Sequence, residues 1–265
     1  MEIPELPKNP EIWRQTLGWS PAPKQELLFQ TLYEQVLAGN RQFNLTRITE
    51  PTEFWEKHLW DSLSGVAPWL SQDDSPGPFA LTLPTPNPNV IDIGAGAGFP
   101  GIPTAIAKSD WRLTLLDSTR KKVKFLTGLC QRLSLQNAIA LAERAETLGR
   151  QPPHRESYDI ALMRALGPAT TCAEYALPLL KQQGLAILYR GKWSPDEADE
   201  LQAAAQQLGG AIEHVQIWST PLTQSVRHCL YLRKVAPTPD EFPRMIGVPS
   251  KQPLGKSFPF PIPDS

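Results

Sequence analysis

Residues 94–98 place a glycine at every second position: Gly94, Gly96 and Gly98. Ahead of them Asp92 sits inside an apolar run, 90–93, that reads as a buried strand. Behind them come Phe99, Pro100, Gly101 and Pro103, and proline suits the first turn of a helix because its missing N–H would be unpaired there. Glycines allow a sharp turn and the close approach of a ligand. Strand, loop and helix start therefore make the opening of a nucleotide-binding βαβ unit. The stretch 96–101 fits the dinucleotide pattern G-x-G-x-x-G. Two features oppose a dinucleotide. Asp92 suits an ammonium group and repels a pyrophosphate, while Pro100 and Pro103 remove two N–H groups that a helix start would offer to phosphate. A ligand with an adenosine end and a zwitterionic amino-acid end, S-adenosylmethionine, fits these residues better.

A second apolar strand, 112–116, ends in Asp117, twenty-three positions after Gly94. That is close to the spacing of about 20 at which an acidic residue meets ribose hydroxyls in such units. Both candidate nucleotides carry the diol, so Asp117, with Ser118 and Thr119 beside it, reads the nucleoside and not the reaction. Ala145 and Glu146 follow the third strand, where a backbone N–H and a side chain can read an adenine edge. Arg164 ends the fourth strand and needs an anionic partner if buried. His58 and Asp61 stand at i and i+3, on one helix face, within hydrogen-bonding reach of each other or as a plain surface pair.

The elements that must position these groups alternate. Strands are expected near 90–93, 112–116, 138–142, 158–163 and 184–190, with helices at 101–108, 119–133, 168–180 and 195–208. Strands 211–218 and 227–235 are separated by only eight residues, too few for a helical crossover, so they should form an antiparallel hairpin at a sheet edge. Five parallel strands closed by such a pair look like the α/β, Rossmann-like seven-stranded methyltransferase fold, here with N-terminal helices. Upstream, residues 1–23 hold five prolines and read as a loosely ordered lead-in. The segment 24–71 is helical, with its first helix ended by Gly39 and Asn40 and a second opened by Pro51. Residues 72–88 read as a mobile Pro-rich surface loop before the core at 89–235. The tail 236–265, which includes eight prolines, should wrap the surface in extended form.

Taken in order, Asn44-Leu45-Thr46, Lys57-His58-Leu59-Trp60-Asp61-Ser62, the glycine loop, Leu115-Leu116-Asp117-Ser118, Arg144-Ala145-Glu146, Met163-Arg164-Ala165, Arg190-Gly191 and Arg227-His228 resemble the RsmG family, also called glucose-inhibited division protein B. The likeness covers roughly residues 27–235, with a further match from Pro243-Arg244 to Pro253. The resemblance implies methylation at N7 of one guanine in the 530 loop of small-subunit (16S) ribosomal RNA, with S-adenosylmethionine as donor and S-adenosylhomocysteine as product. It implies a donor site at Asp92, Gly94, Gly96, Gly98, Phe99, Asp117, Ser118, Thr119, Ala145, Glu146 and Arg164, with the helix that carries His58 and Asp61 beside cofactor and substrate. Guanine N7 already has a free lone pair, so His58, Asp61 and Arg164 are expected to position the reactants with no general base. Two other acceptors fit less well. Exocyclic-amine enzymes usually carry an Asn-Pro-Pro-Tyr-like stretch where this chain has 164–168, and carbon-5 pyrimidine enzymes need a site cysteine, whereas Cys172 falls within an expected helix. A methyltransferase for another RNA position or a small molecule, and a non-catalytic ribosome-binding factor, are the competing readings.

Net charge −1 gives no general affinity for RNA, so binding must rest on local patches. Residues 108–132 hold seven Lys or Arg against two acids, and 227–256 hold six against two. From these and the motifs, Lys121, Lys122, Lys124, Arg190, Lys192, Arg227, His228 and Arg244 are the expected contacts to ribosomal RNA or the 30S particle. Three scattered cysteines make neither a disulfide framework nor a metal cluster and suit a reducing compartment. With no apolar run of spanning length, a cytoplasmic, membrane-free monomer is expected.

Overall fold

The structure is a computed structural model that describes residues 4–71 and 79–255. Seven strands form one sheet in the order β3-β2-β1-β4-β5-β7-β6. β1 (Asn89–Ile93), β2 (Arg112–Asp117), β3 (Ala138–Ala142), β4 (Tyr158–Arg164) and β5 (Leu180–Arg190) are parallel, and β7 (Val226–Lys234) runs antiparallel to both its neighbours, β5 and β6 (Gly210–Ser219). β7 inserts between β5 and β6, so the expected hairpin closes the sheet with β6 at its edge. The reversal of strand order between β1 and β4 is a topological switch point, where open α/β sheets bind ligands beyond the carboxyl ends of their strands. This is the Rossmann-like methyltransferase arrangement. Among the described residues no helix is long and apolar enough to cross a membrane.

Both faces of the sheet are covered. On one lie α1 (Pro10–Leu17), α2 (Pro23–Phe43), a helical run of α3 (Pro51–Phe54), a π-helical turn (Trp55–Trp60) and α4 (Asp61–Ser64), then α5 (Gly101–Ala107) and α6 (Arg120–Arg132). On the other lie α7 (Ala145–Leu148), α8 (Ala169–Ala176) and α9 (Pro195–Gln207), with α10 (Val248–Lys251) beyond them. Strand residues therefore alternate between two cores: Ile160 and Leu162 face the first, Ala161 and Met163 the second.

Three expectations about the outer segments need correction. Residues 10–17 are no loose lead-in. Pro10 opens α1 and Gly18 closes it in a left-handed conformation, and Trp13 and Leu17, one turn apart, are buried. Gly39 does not end α2. A Cβ there would stand 2.4 Å from the Phe125 ring, so the glycine lets α2 lie close on α6, and the helix continues to Phe43 before Asn44 caps it. The tail at 236–255 is held in turns and α10 rather than extended. Arg150 and Arg155 donate to carbonyls of residues 238–243, and Thr171 donates to Pro249. Of the Pro-rich loop, 79–88 forms no regular element, but Phe79, Leu81 and Leu83 pack on the core; 72–78 and 256–265 lie outside the described residues.

Candidate active site

The glycine loop is built from beneath by two carboxylates. Asp92 in β1 is wholly buried; its Oδ2 accepts the Gly101 N–H at 2.8 Å, and Oδ1 has no partner. Burial pushes its carboxyl up to about 7, against the pull of the Gly101 N–H and the Arg164 charge. The expected ammonium contact is therefore corrected: Asp92 does not reach the cavity and instead fixes the start of α5. Asp117, at the end of β2, accepts the Gly96 N–H at 3.0 Å on Oδ2 and the Thr119 N–H at 2.8 Å on Oδ1. Gly94 and Ala95 donate to the Leu116 carbonyl, and Gly98 and Phe99 to that of Ala95. Five loop N–H groups are thus spent on the protein, which leaves a pyrophosphate poorly served and answers the dinucleotide reading.

Above this loop opens a cavity of about 390 Å³, lined by Gly94–Ala97, Phe99, Asp117–Thr119, His58 and Arg164 among others. Its size suits a nucleoside-sized ligand. Gly96, at φ +57°, would place a Cβ with nothing nearer than 3.7 Å, so the loop offers a bare backbone there. Lys122, with Nζ 3.8 Å from Asp117, lines the same cavity, as do Leu45, Ala165 and Leu166. Leu45, Ala165 and Leu166 were missed as site residues, whereas Lys122 was expected among the RNA contacts and instead stands over Asp117 on the donor side, one turn into the helix that follows it. Gly98 lies behind the wall, where a Cβ would strike Ile102. Ala145 and Glu146 do not line the cavity. The Glu146 Oε1 accepts the Gly247 N–H at 3.0 Å, which corrects its expected role at the adenine edge.

Arg164 joins this cavity to its neighbour. Nη1 donates to the Lys57 carbonyl at 2.7 Å and to Asp61 Oδ2 at 2.8 Å, and Nη2 to His58 Nδ1 at 3.1 Å. Since Arg164 can only donate, His58 Nδ1 must accept, and the ring proton sits on Nε2 facing Thr46 Oγ1 at 2.8 Å. Burial together with the Arg164 and Lys57 charges pushes the imidazolium down to about 3, so His58 is neutral. Its ring stacks on Phe99 with centroids 4.3 Å apart. His58 and Asp61 share a face but bond to Arg164 and not to each other, in a segment whose π-helical turn departs from the spacing of a regular helix. Asp61 Oδ1 also lies 3.6 Å from Arg227 Nε, so one carboxylate serves two guanidinium groups.

Beyond Arg164 a second cavity of about 580 Å³ is lined by Asp61, Arg164, Arg190, Lys192 and Arg227 among others. His228 borders it through a 2.7 Å contact of Nδ1 with the Gly191 carbonyl. Lys121 and Lys124 face a separate open groove between α2 and α6, with Arg132. Arg244, like Lys122, stands apart from the expected RNA set: its side chain forks onto the fully buried Glu174, with contacts of 2.6–3.1 Å, and ties the tail to α8.

The family profile of rRNA small subunit methyltransferase G matches residues 25–228. The chain belongs to that family. Proteins named ribosomal RNA small subunit methyltransferase G include one from Nostoc sp. strain PCC 7120, 58% identical over 94% of this chain and 98% of its own length. Others come from Synechococcus sp. strain JA-2-3B'a(2-13), 52% identical over 97% and 95%, and Trichodesmium erythraeum, 47% identical over 95% and 96%. The glycine-loop cavity, with its bare backbone and fixed carboxylate, fits S-adenosylmethionine, the donor of this family.

Proposed function

We infer that the protein transfers a methyl group from S-adenosylmethionine to N7 of a guanine in the 530 loop of small-subunit ribosomal RNA, as a monomer in the cytoplasm. The observation that carries this reading is the meeting of two cavities at Arg164, Ala165 and Leu166, which line both, with Arg164 the charged member. S-adenosylmethionine supplies an electrophilic methyl on a sulfonium with a neutral leaving group. The chain supplies alignment. Asp117, oriented by the N–H groups of Gly96 and Thr119, has lone pairs left for a ribose diol. Arg164, fixed by Asp61, the Lys57 carbonyl and His58, holds the partition at which donor and acceptor must meet.

Guanine N7 needs no deprotonation, and the residues around Arg164 offer no base to perform one. Both ring nitrogens of His58 are engaged, and Asp61 is paired with Arg164 and Arg227. Holding the reacting atoms in line is thus the main catalytic task. Arg190, Lys192, Arg227 and His228 surround the acceptor side, and Lys121 and Lys124 present charge to RNA farther along the surface. The test is to map N7-methylguanosine in small-subunit RNA from cells with and without the gene. Loss of one modified guanine, restored by the wild-type gene and not by an Asp117→Ala copy, is expected; an unchanged map refutes the reading.

A further inference from the structure

The end of the β6–β7 hairpin is unusual in what it exposes. Ile217 is 60% exposed, Val226 52% and Leu222 38%, three aliphatic side chains within ten residues of chain. Isolated exposed apolar residues are ordinary, but a group of them beside a site is not. In the ladder Ile217 pairs with His228, and Ser219 with Val226. Directly paired residues of an antiparallel ladder point to one face, so Ile217, Val226 and His228 share a face. Their alternates, Trp218 and Arg227, turn to the other, where Trp218 packs on Trp60 and Arg227 meets Asp61.

This end of the hairpin is held firmly. The buried carboxylate of Glu56, in the π-helical turn that also carries His58, accepts the N–H groups of Leu222 at 2.6 Å and Thr223 at 2.9 Å, and the Thr223 hydroxyl at 2.6 Å. Thr220 and Ser225 close the turn with paired bonds. Nothing in that arrangement buries the three aliphatic groups. The cations on their own face lie across the sheet: His228, paired with Ile217 on one side and Arg190 on the other, touches Gly191 between Arg190 and Lys192, and both of these line the acceptor cavity, which Arg227 reaches from the opposite face. An apolar ledge rimmed by bound cations beside a nucleotide-sized opening matches a partner that is anionic along its backbone and apolar on its base faces.

We propose that Ile217, Val226 and Leu222 form a ledge that packs against the unstacked bases flanking the target nucleotide of the RNA. The inference rests on the RNA-methylating reading above. A base whose N7 must line up with a donor inside a protein cavity has to leave its stack, and such enzymes meet the gap with apolar side chains. The rigid turn at Glu56 fixes the ledge relative to the same helical run that positions Arg164.

The test uses the full chain and small subunits from cells lacking the gene. Ile217→Ser/Val226→Ser and Leu222→Ser are exposed changes, so melting temperature and S-adenosylmethionine affinity should match wild type. For methylation of the subunits, kcat/KM should fall about tenfold or more, the scale of lost base contacts. A photo-reactive leucine analogue at position 222 should give adducts that nuclease removes. Adducts removed only by protease would mean that a ribosomal protein occupies the ledge, and the proposal falls. Wild-type kcat/KM in both variants, with no adduct, would make the ledge plain solvated surface and also overturn it. If wild-type protein itself leaves the subunits unmethylated, it is the functional reading that fails.

Discussion

Two buried groups, one beneath the donor cavity and one in its wall, titrate against each other. Asp92 has its carboxyl pushed up to about 7 from 3.8 by burial, and His58 has its imidazolium pushed down to about 3 from 6.5, first by burial and then by Arg164 and Lys57. Between about pH 4 and 6.5 the unfolded chain carries an ionised Asp92 and a protonated His58, while the folded chain carries both groups neutral. Folding thus takes up a proton at Asp92, so its contribution is greatest below pH 3.8 and is lost as pH rises towards 7. At His58 folding releases a proton, so its contribution is complete above pH 6.5 and is lost as pH falls towards 3. Each slope is about 1.4 kcal/mol per pH unit, and the signs are opposite.

The two therefore cancel across that window in the wild type, and either single variant uncovers the other. Asp92→Asn keeps an oxygen for the Gly101 N–H and removes the titration, so the variant's unfolding free energy should rise with pH from 4 to 6.5 relative to wild type. His58→Asn should produce the reverse, a relative fall over the same range. Full shifts correspond to roughly 4 kcal/mol each, an upper bound because cavities relax. Urea unfolding of the ligand-free protein at half-unit pH intervals, followed by tryptophan fluorescence, measures both. Parallel pH profiles for all three proteins would refute the assignment of two neutral buried groups.

Other expectations concern function. Asp117→Ala should weaken S-adenosylmethionine binding by roughly 1.5–3 kcal/mol in calorimetry, the worth of hydrogen bonds to a charged group; unchanged affinity would remove Asp117 from the donor site. Arg164→Ala should slow single-turnover methylation of small subunits at saturating donor by about 10²-fold or more, as misalignment does, and Arg164→Lys should not rescue it, because an ammonium cannot span Asp61, the Lys57 carbonyl and His58 together. The methyl-transfer step should show no single-proton dependence between pH 6 and 8; a steep dependence abolished in His58→Ala would make His58 a base. Neutralising Lys121 and Lys124 together should lower RNA affinity and flatten its salt dependence with donor affinity intact, while Lys122 should stay out of that variant because it faces the donor cavity.

The sheet was legible because its signals are local. Apolar runs of four to nine residues, a glycine loop between two of them and a final pair of strands eight residues apart leave few alternatives to a doubly wound sheet with an antiparallel edge. Asp117 was legible for the same reason, since chain spacing alone brings it to the loop. What failed depended on packing across the chain. Asp92 looked like a ligand contact because its type and position are right, but only the fold shows that α5 closes over it. Glu146 and Arg244 looked free because their partners, Gly247 and Glu174, lie 101 and 70 residues away in sequence. Gly39 looked like a stop because a glycine in a helix pattern says nothing of the Phe125 ring it must admit. The lead-in was missed by counting prolines; the Pro10-to-Gly18 frame around Trp13 and Leu17 carried the helix signal.

The charge balance at Arg164 fits the chemistry that the site is asked to do. Methyl transfer to N7 moves one positive charge from sulfur to the purine, so the total charge of the reacting pair does not change. A site for such a step needs no group that gains or loses a proton, and the neutral His58 and paired Asp61 supply none. What it needs is a fixed field that does not favour leaving the charge on sulfur. Arg164 stands on the cavity wall with its own positive charge, which disfavours a localised cation beside it. Asp61 cannot neutralise it fully, because the same carboxylate also faces Arg227. On the acceptor side Arg190, Lys192 and Arg227 would by themselves oppose the charge arriving on the purine, and the phosphates of a bound RNA are what neutralise them. Removing Arg227 should then tighten the Asp61–Arg164 pair and weaken RNA capture, raising KM for the subunit more than it lowers the single-turnover rate. A variant Arg227→Gln with an unchanged KM and a collapsed rate would place Arg227 in the alignment machinery, and the division between holding RNA and aligning the methyl group would have to be redrawn.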